Sequence, residues 1–244
     1  MSKSLTRFFN FEYYAKKFSK LRKREYEKNY QKENLSGVPR SEISFEETEA
    51  LSKLSNSISK KNMTIIEVGS WSGLGSTIVL GNVAKKNDGK LICIDTWKGN
   101  VGVEHHEKIT ETIDIFDFFL NTLKEHKLTD YIIPIRSNSL FFSNLLADGI
   151  ADMVFIDGDH RYEPCKIDIL NLKSKVKKGG ILCGHDMEKK WSDLNYLVKG
   201  QNLEKILEND TFSNIHCGVS KAVYDIFGEN VEIMKDTTIW YKTI

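Results

Sequence analysis

The sequence predicts a doubly wound α/β fold, a mostly parallel sheet covered by helices on both faces, and three observations carry that prediction. Short apolar runs recur through residues 63–186, helical patterns separate them, and polar or glycine residues gather where each run ends. Parallel neighbours need a crossover connection, which a helix supplies. In such sheets ligands bind beyond the carboxyl ends of the strands. Glu67 and Gly69, Asp95, Ser137 to Ser139, Asp157 to His160, and His185 with Asp186 all fall at such ends, so five strands are expected to feed one cleft.

Residues 5–34 carry Phe8, Phe9, Phe11, Tyr13, Tyr14, Phe18 and Leu21 among basic residues, the pattern of amphipathic helices. The break at Ser36-Gly37-Val38-Pro39 divides a basic aromatic arm at 1–40 from a body at 41–244. Residues 42–60 read as a helix, with Phe45, Leu51, Leu54 and Ile58 near one face. The first strand, 63–70, ends in a glycine turn with helix 76–86 behind it. A strand at 90–97, a helix at 113–126 and a strand at 131–139 follow. A short helix at 143–149 precedes the strand at 151–159, and helix 162–176 leads through Lys177-Lys178-Gly179-Gly180 to a strand at 181–186. Residues 188–216 read as polar and irregular. A helix at 218–228 and two strand pieces in 231–244 complete the chain.

The composition fits one domain with a substantial core, since 40% of the 244 residues are hydrophobic and 11% aromatic. A formal net charge of +1 argues against a nucleic-acid partner, although residues 1–34 hold ten Lys or Arg against four Glu. Cys93, Cys165, Cys183 and Cys217 show no zinc spacing and read as reduced structural thiols. No apolar run reaches the ~18 residues of a membrane span. Lysines interrupt the N-terminal aromatics, so the chain reads as soluble and cytoplasmic, without stable membrane insertion.

A dinucleotide site requires G-x-G-x-x-G after the first strand. Counting from Gly69, Trp71 and Leu74 stand where the other two glycines belong, and an indole in the phosphate space argues against NAD or FAD. The run EVGSWSGLGS, from Glu67, resembles instead the first motif of class I S-adenosylmethionine-dependent methyltransferases, an acid followed by G-x-x-x-G. That resemblance implies that Gly69 and Gly73 pass close to S-adenosylmethionine, with Glu67 beneath its aminoacyl end and Ser70 beside it. It also implies that Asp95 receives the ribose hydroxyls, flanked by Thr96 and Trp97, and that Asn138 and Ser139 meet the adenine. A turn or cap role for Asp95 stays open.

The stretches FIDGDHRYE (155–163) and GGILCGHDM (179–187) both end strands at the cleft mouth. Buried carboxylates there need a partner, and a metal is the natural one. The candidate ligands are Asp157, His185 and Asp186. In the order IDTWKG, FIDGDHRYE, GGILCGHDM, GVSKAVYDIFG and TIWYK, the chain resembles the class I methyltransferase type 24 family. It is also similar to the macrocin, mycinamicin and novobiocin-type sugar O-methyltransferases and the cephalosporin hydroxylase-related group. The resemblance covers residues 42 to 244 and implies a Rossmann-like sheet of seven strands in the order 3-2-1-4-5-7-6, the last strand antiparallel. It implies that Asp157 binds Mg²⁺ and borders the cofactor, that His160 takes the substrate proton, and that His185 and Asp186 complete the ligand set. His185 stands where a carboxylate is common, and imidazole favours Mn²⁺, Fe²⁺ or Zn²⁺.

The expected reaction is metal-assisted O-methylation of a sugar, a nucleotide-linked sugar or another small polar metabolite, with S-adenosylmethionine as donor and Mg²⁺ or Mn²⁺ as cation. A bound cation lowers the pKa of a hydroxyl, and an imidazole of pKa ~6.5 accepts its proton. The competing readings are metal-free N- or O-methylation of a phosphorylated small molecule and a non-catalytic binding protein. Asp159 reads as the N-cap of the helix at 162, with a supporting contact to the neighbouring site residues as the alternative. The loop with Lys98, His105 and His106 is long enough to cover the cleft, and adjacent side chains diverge on regular structure, which argues against a metal between the two histidines. The arm is expected to pack on its own domain or a neighbouring subunit, to close over an anionic substrate, or to bind a membrane surface.

Overall fold

The computed structural model describes Lys20, Lys23, Arg24 and residues 39–244. The rest of the expected arm at 1–40 lies outside the described residues. Seven strands form one sheet: β1 (Thr64–Val68), β2 (Lys90–Asp95), β3 (Ile132–Arg136), β4 (Ala151–Ile156), β5 (Val176–Gly184), β6 (Glu232–Ile233) and β7 (Trp240–Thr243). Their order is β3-β2-β1-β4-β5-β7-β6. The first five are parallel, and β7 runs antiparallel to both β5 and β6. This is the Rossmann-like sheet that the resemblance implied.

Side chains alternate across a strand, so each central strand feeds two cores. Ile65, Met153 and Phe155 pack with Leu51 and Leu54 of α1 (Phe45–Ser57), Leu80 and Val83 of α2 (Ser76–Lys86), and Phe119 of the helix Ile115–Glu125. On the other face Ile66, Val68, Val154 and Ile156 pack with Ile169 of the helix Tyr162–Lys173 and with Val219 and Val223 of the helix Cys217–Phe227. Burying a side chain of this size contributes about 1.5–3 kcal/mol. These two cores hold the strand ends rigid, and all five parallel strands point the same way.

Several elements differ from expectation. The segment read as a bare loop after β2 contains α3 (Glu104–Thr110), ahead of α4 (Ile115–Glu125). The short helix expected at 143–149 is α5 (Ser139–Ser143), because Asn138 accepts a bond from the Leu140 N–H and starts the helix there. Lys177 to Gly180 lie inside β5, between α6 (Tyr162–Lys173) and the cleft. The irregular stretch 188–216 holds a 3₁₀ turn (Trp191–Leu194) and the short helices α7 (Asn195–Val198) and α8 (Leu203–Leu207), ahead of α9 (Cys217–Phe227). Asp159 does not cap α6; it binds the Arg161 backbone N–H and guanidinium. All four cysteines are free and buried. Among the described residues no helix is long and apolar enough to cross a membrane.

Candidate functional site

Gly69 turns the chain out of β1 at φ +81°, a conformation that favours glycine. A Cβ there would lie 1.8 Å from the Asp157 carbonyl oxygen, so the ends of β1 and β4 meet backbone to backbone. Gly73, at φ +78°, faces Phe119 of α4, whose ring would lie 2.9 Å from a Cβ. It packs the loop onto the helix.

Glu67 is fully buried below the loop, where Oε2 accepts from Ser70 Oγ at 2.8 Å and Thr77 Oγ1 at 2.6 Å. Its Oε1 has no partner, and burial pushes its pKa up. Glu67 shapes the loop from beneath. Trp97 is also a core residue: it is buried against Phe116 and Phe119, and its indole N–H donates to the Trp71 carbonyl. Asp95 laces the two loops together. Its Oδ2 accepts from the N–H groups of Ser70 and Trp71, both at 2.8 Å, and Oδ1 from that of Trp97 at 2.7 Å. Asp95 lines both lobes of the cleft beside this turn.

The cleft has two lobes that share Gly69, Asp95, Gly99 and Asn100. One, of about 510 Å³, runs over Thr96, Asn138, Ser139, Leu140 and Asp168. Ser139 Oγ donates to Asp168 Oδ1 at 2.7 Å, and burial lifts the Asp168 pKa to about 6. The other lobe, of about 250 Å³, holds Ser70, Trp71, Asp157, His160, His185 and Asp186. The structure thus brings Asp157, His160, His185 and Asp186 together, as expected, and sets them beside the Gly69 turn.

The details of this second lobe were not foreseen. His160 Nε2 lies 3.1 Å from Asp186 Oδ2 and 3.7 Å from Asp157 Oδ1, while its Nδ1 lies 2.9 Å from Asp210 Oδ1. His185 Nδ1 lies 3.5 Å from Asp157 and 3.2 Å from Asp186; its Nε2 approaches Glu47 of α1 at 3.1 Å, outside hydrogen-bond alignment. His216 stands edge-on to His160 and meets Glu188 at 2.7 Å. Asp157, His160 and Asp186 each present an atom within 4.8 Å of the others, the spacing of a metal site.

Burial works to raise the Asp157 and Asp186 carboxyls, but His185 and His160 beside them win and hold both below the usual carboxylate range. Burial likewise opposes charge on His160 and His185, and Asp186 with Asp157 overcomes it, raising both imidazoles. Glu47, Glu188, Asp210 and His216 escaped the sequence reading. Only Glu47 carries a local signal, as the acid of a capping box with Ser44, and that signal speaks of a helix start.

The loop after β2 is tied down over the junction of the lobes. Asn100 Nδ2 donates to the Gly158 carbonyl at 3.0 Å. His105 and His106, expected to diverge, both reach Glu42, at 2.8 and 3.1 Å. These three form a second grouping with metal-like spacing, yet His106 Nδ1 accepts the Asn100 N–H at 3.1 Å. Its proton therefore sits on Nε2 in the neutral ring and points at Glu42. That is a hydrogen-bonded clamp, and it leaves Nε2 no lone pair for a metal.

Comparison with known proteins agrees with this architecture. Residues 66–187 match a family model described as a methyltransferase domain. An uncharacterized protein of Acanthamoeba polyphaga mimivirus is 32% identical over 144 residues, 58% of this chain; the match spans 60% of that relative's length. A putative caffeoyl-CoA O-methyltransferase from Staphylococcus aureus superposes with a TM-score of 0.61 at 14% identity, covering 93% of this chain and 95% of that one. An O-methyltransferase from Bacillus cereus in complex with SAH superposes with a TM-score of 0.57 at 14% identity, covering 90% of each. At such identities the structural matches speak for the fold.

Proposed function

The chain belongs to the methyltransferase-domain family, and on that premise we propose that it transfers a methyl group from S-adenosylmethionine to a hydroxyl of a small polar metabolite, of which a sugar is the leading class, with the help of a divalent cation. The observation that carries the reading is the charge of the smaller lobe. Five carboxylates, Glu47, Asp157, Asp186, Glu188 and Asp210, surround three imidazoles, His160, His185 and His216. Asp157, His160 and Asp186 each present an atom within 4.8 Å of the others, and carboxylates gathered at that spacing away from water are suited to a cation.

The reading takes as oxygen donors Asp157 and Asp186, two of the residues brought to metal-like spacing, and as nitrogen donor His185 beside them, a mixture that suits Mn²⁺ at least as well as Mg²⁺. The cofactor fit rests on the turn at Gly69 and on Asp95, both of which line the two lobes at their junction. In this reading Ser70 borders the aminoacyl end, Asp95 and Thr96 the ribose, and Asn138 and Ser139 the adenine. When bound, S-adenosylmethionine supplies the methyl group and the cation supplies positive charge that acidifies a neighbouring hydroxyl. His160 accepts the hydroxyl proton at Nε2, while Asp210 holds Nδ1 and so fixes the ring. The carboxylates that would hold the cation are those that otherwise keep His160 charged, so base and cation stand or fall together.

The test is methyl transfer to a panel of sugar acceptors before and after EDTA. Activity is expected to vanish with chelation, to return with Mn²⁺ or Mg²⁺, and to fall at least about 10²-fold in Asp157→Ala. Activity that survives both treatments assigns metal-free methylation instead.

A further inference from the structure

Beside Asp157, His160 and Asp186, the described residues hold another grouping that the reading above does not use. Asp186, Glu188 and His216 each present a donor atom within 4.8 Å of the others. The Asp186 carboxylate meets three imidazoles: Oδ2 lies 3.1 Å from His160 Nε2, while Oδ1 lies 3.2 Å from His185 Nδ1 and 3.6 Å from His216 Nδ1. Two residues on, Glu188 engages His216 twice, with Oε1 2.7 Å from Nδ1 and Oε2 accepting the backbone N–H at 3.1 Å. The chain holds Glu188 on both flanks, because the Met187 N–H donates to the Thr238 carbonyl at 2.9 Å and the Ser220 hydroxyl donates to the Lys189 carbonyl at 2.9 Å. His216 starts α9, and Gly218 lets that start press on the end of the β4 loop: a Cβ there would lie 2.4 Å from the His160 carbonyl oxygen. The other nitrogen of His216, Nε2, lies 3.9 Å from Asp210 Oδ2. An imidazole with carboxylate oxygens before one nitrogen and a further carboxylate behind the other has the surroundings of a metal ligand.

We propose that Asp186, Glu188 and His216 hold a second divalent cation, beside the one assigned to Asp157, His185 and Asp186, and that Asp186 bridges the two. This inference goes beyond the function stated above and shares only Asp186 with it. A single proton on His216 Nδ1 serves Glu188 and leaves Asp186 at 3.6 Å, whereas a cation between them serves both carboxylates and the ring nitrogen. One imidazole nitrogen with carboxylate oxygens is a donor set that Mn²⁺ and Zn²⁺ accept, and three protein ligands leave positions open for water or a substrate oxygen. Asp186 and His216 line the smaller lobe, which puts the ion at the wall of the space assigned to the acceptor.

The experiment counts Mn²⁺ ions on the full chain by electron paramagnetic resonance, with thermal melts in the absence of metal as a control for folding. The parent protein is expected to bind two equivalents. Glu188→Gln and His216→Ala are each expected to keep one and to weaken the other at least about 10-fold, and Asp157→Asn to keep the equivalent that these two lose. Glu188→Gln has almost the same volume and keeps an amide oxygen for the His216 backbone N–H, so it decides the matter if His216→Ala fails to fold. A parent that binds one equivalent, lost in Asp157→Asn and kept in Glu188→Gln, overturns the second site and leaves the first intact. One equivalent lost in Glu188→Gln and kept in Asp157→Asn supports the second site and overturns the first. Two equivalents kept unweakened in a folded Glu188→Gln overturn the second site's ligand set, and a parent that binds no Mn²⁺ overturns both sites.

Discussion

Asp168 shows how one side chain links stability to the site. Its folded pKa of about 6 lies above the unfolded value of about 3.9, so its ionisation opposes folding. The contribution is fully present below about pH 4 and is lost as pH rises through about 6, at a cost of at most about 3 kcal/mol. Asp168→Asn, which cannot ionise and keeps the Ser139 bond, is therefore expected to match the parent in urea unfolding at about pH 3.5 and to exceed it by about 1–3 kcal/mol at pH 8. A constant difference across that range would mean that Asp168 does not titrate as a buried acid. Residues of this kind were illegible in the sequence, because Asp168 sits mid-helix where an acid ordinarily faces solvent. Asp157, His160, His185 and Asp186 were legible since each interrupts or ends an apolar run. Asp210 reaches His160 across fifty residues of chain, and no local pattern marks such a partner.

At the scale of elements, what was read correctly had a period or a glycine, and what was missed depended on capping or on tertiary contact. The five parallel strands were visible as apolar runs of buried residues. The short α5 was displaced because the reading followed Leu145 and Leu146, whereas Asn138 starts the helix and leaves Leu145 exposed. The helix α3 carries almost no apolar stripe: its one buried residue is His106, held by Glu42, by the Asn100 N–H and by the Trp71 ring at 4.2 Å. Ile109 adds a partly buried contact to the core, but a helix whose one fully buried side chain is polar should loosen when that anchor goes. His106→Ala is expected to speed amide exchange over residues 98–110 by about 5- to 50-fold, the equivalent of one or two lost hydrogen bonds, without changing exchange in β1 or β4. If exchange in α3 stays as slow as in the parent, the clamp is not what holds this element.

At the scale of the molecule, the site at the end of β5 depends on a part of the chain that contributes no side chain to either lobe. β7 pairs Trp240 with Gly184, one residue before His185, and a Cβ on Gly184 would lie 2.7 Å from the Trp240 indole nitrogen. Glu47 extends the same support from α1: it accepts from the Thr238 hydroxyl at 2.9 Å while meeting His185. The first helix and the last hairpin therefore brace one edge of the carboxylate cluster, which explains why the hairpin closes the sheet next to β5. Trp240 is almost completely buried, and its indole N–H has no partner, so its contribution is volume and apolar area. Trp240→Ala is expected to cost about 3–5 kcal/mol in unfolding free energy. Trp240→Phe removes the unpaired N–H and keeps an aromatic ring, so it should cost under about 2 kcal/mol. Mn²⁺ affinity, followed by electron paramagnetic resonance, should fall in the alanine variant and hold in the phenylalanine one, because the position of Asp186 follows the packing on Gly184. Equal losses in the two variants would show that the indole nitrogen has a partner after all, and that the hairpin supports the site through a hydrogen bond instead of by filling space.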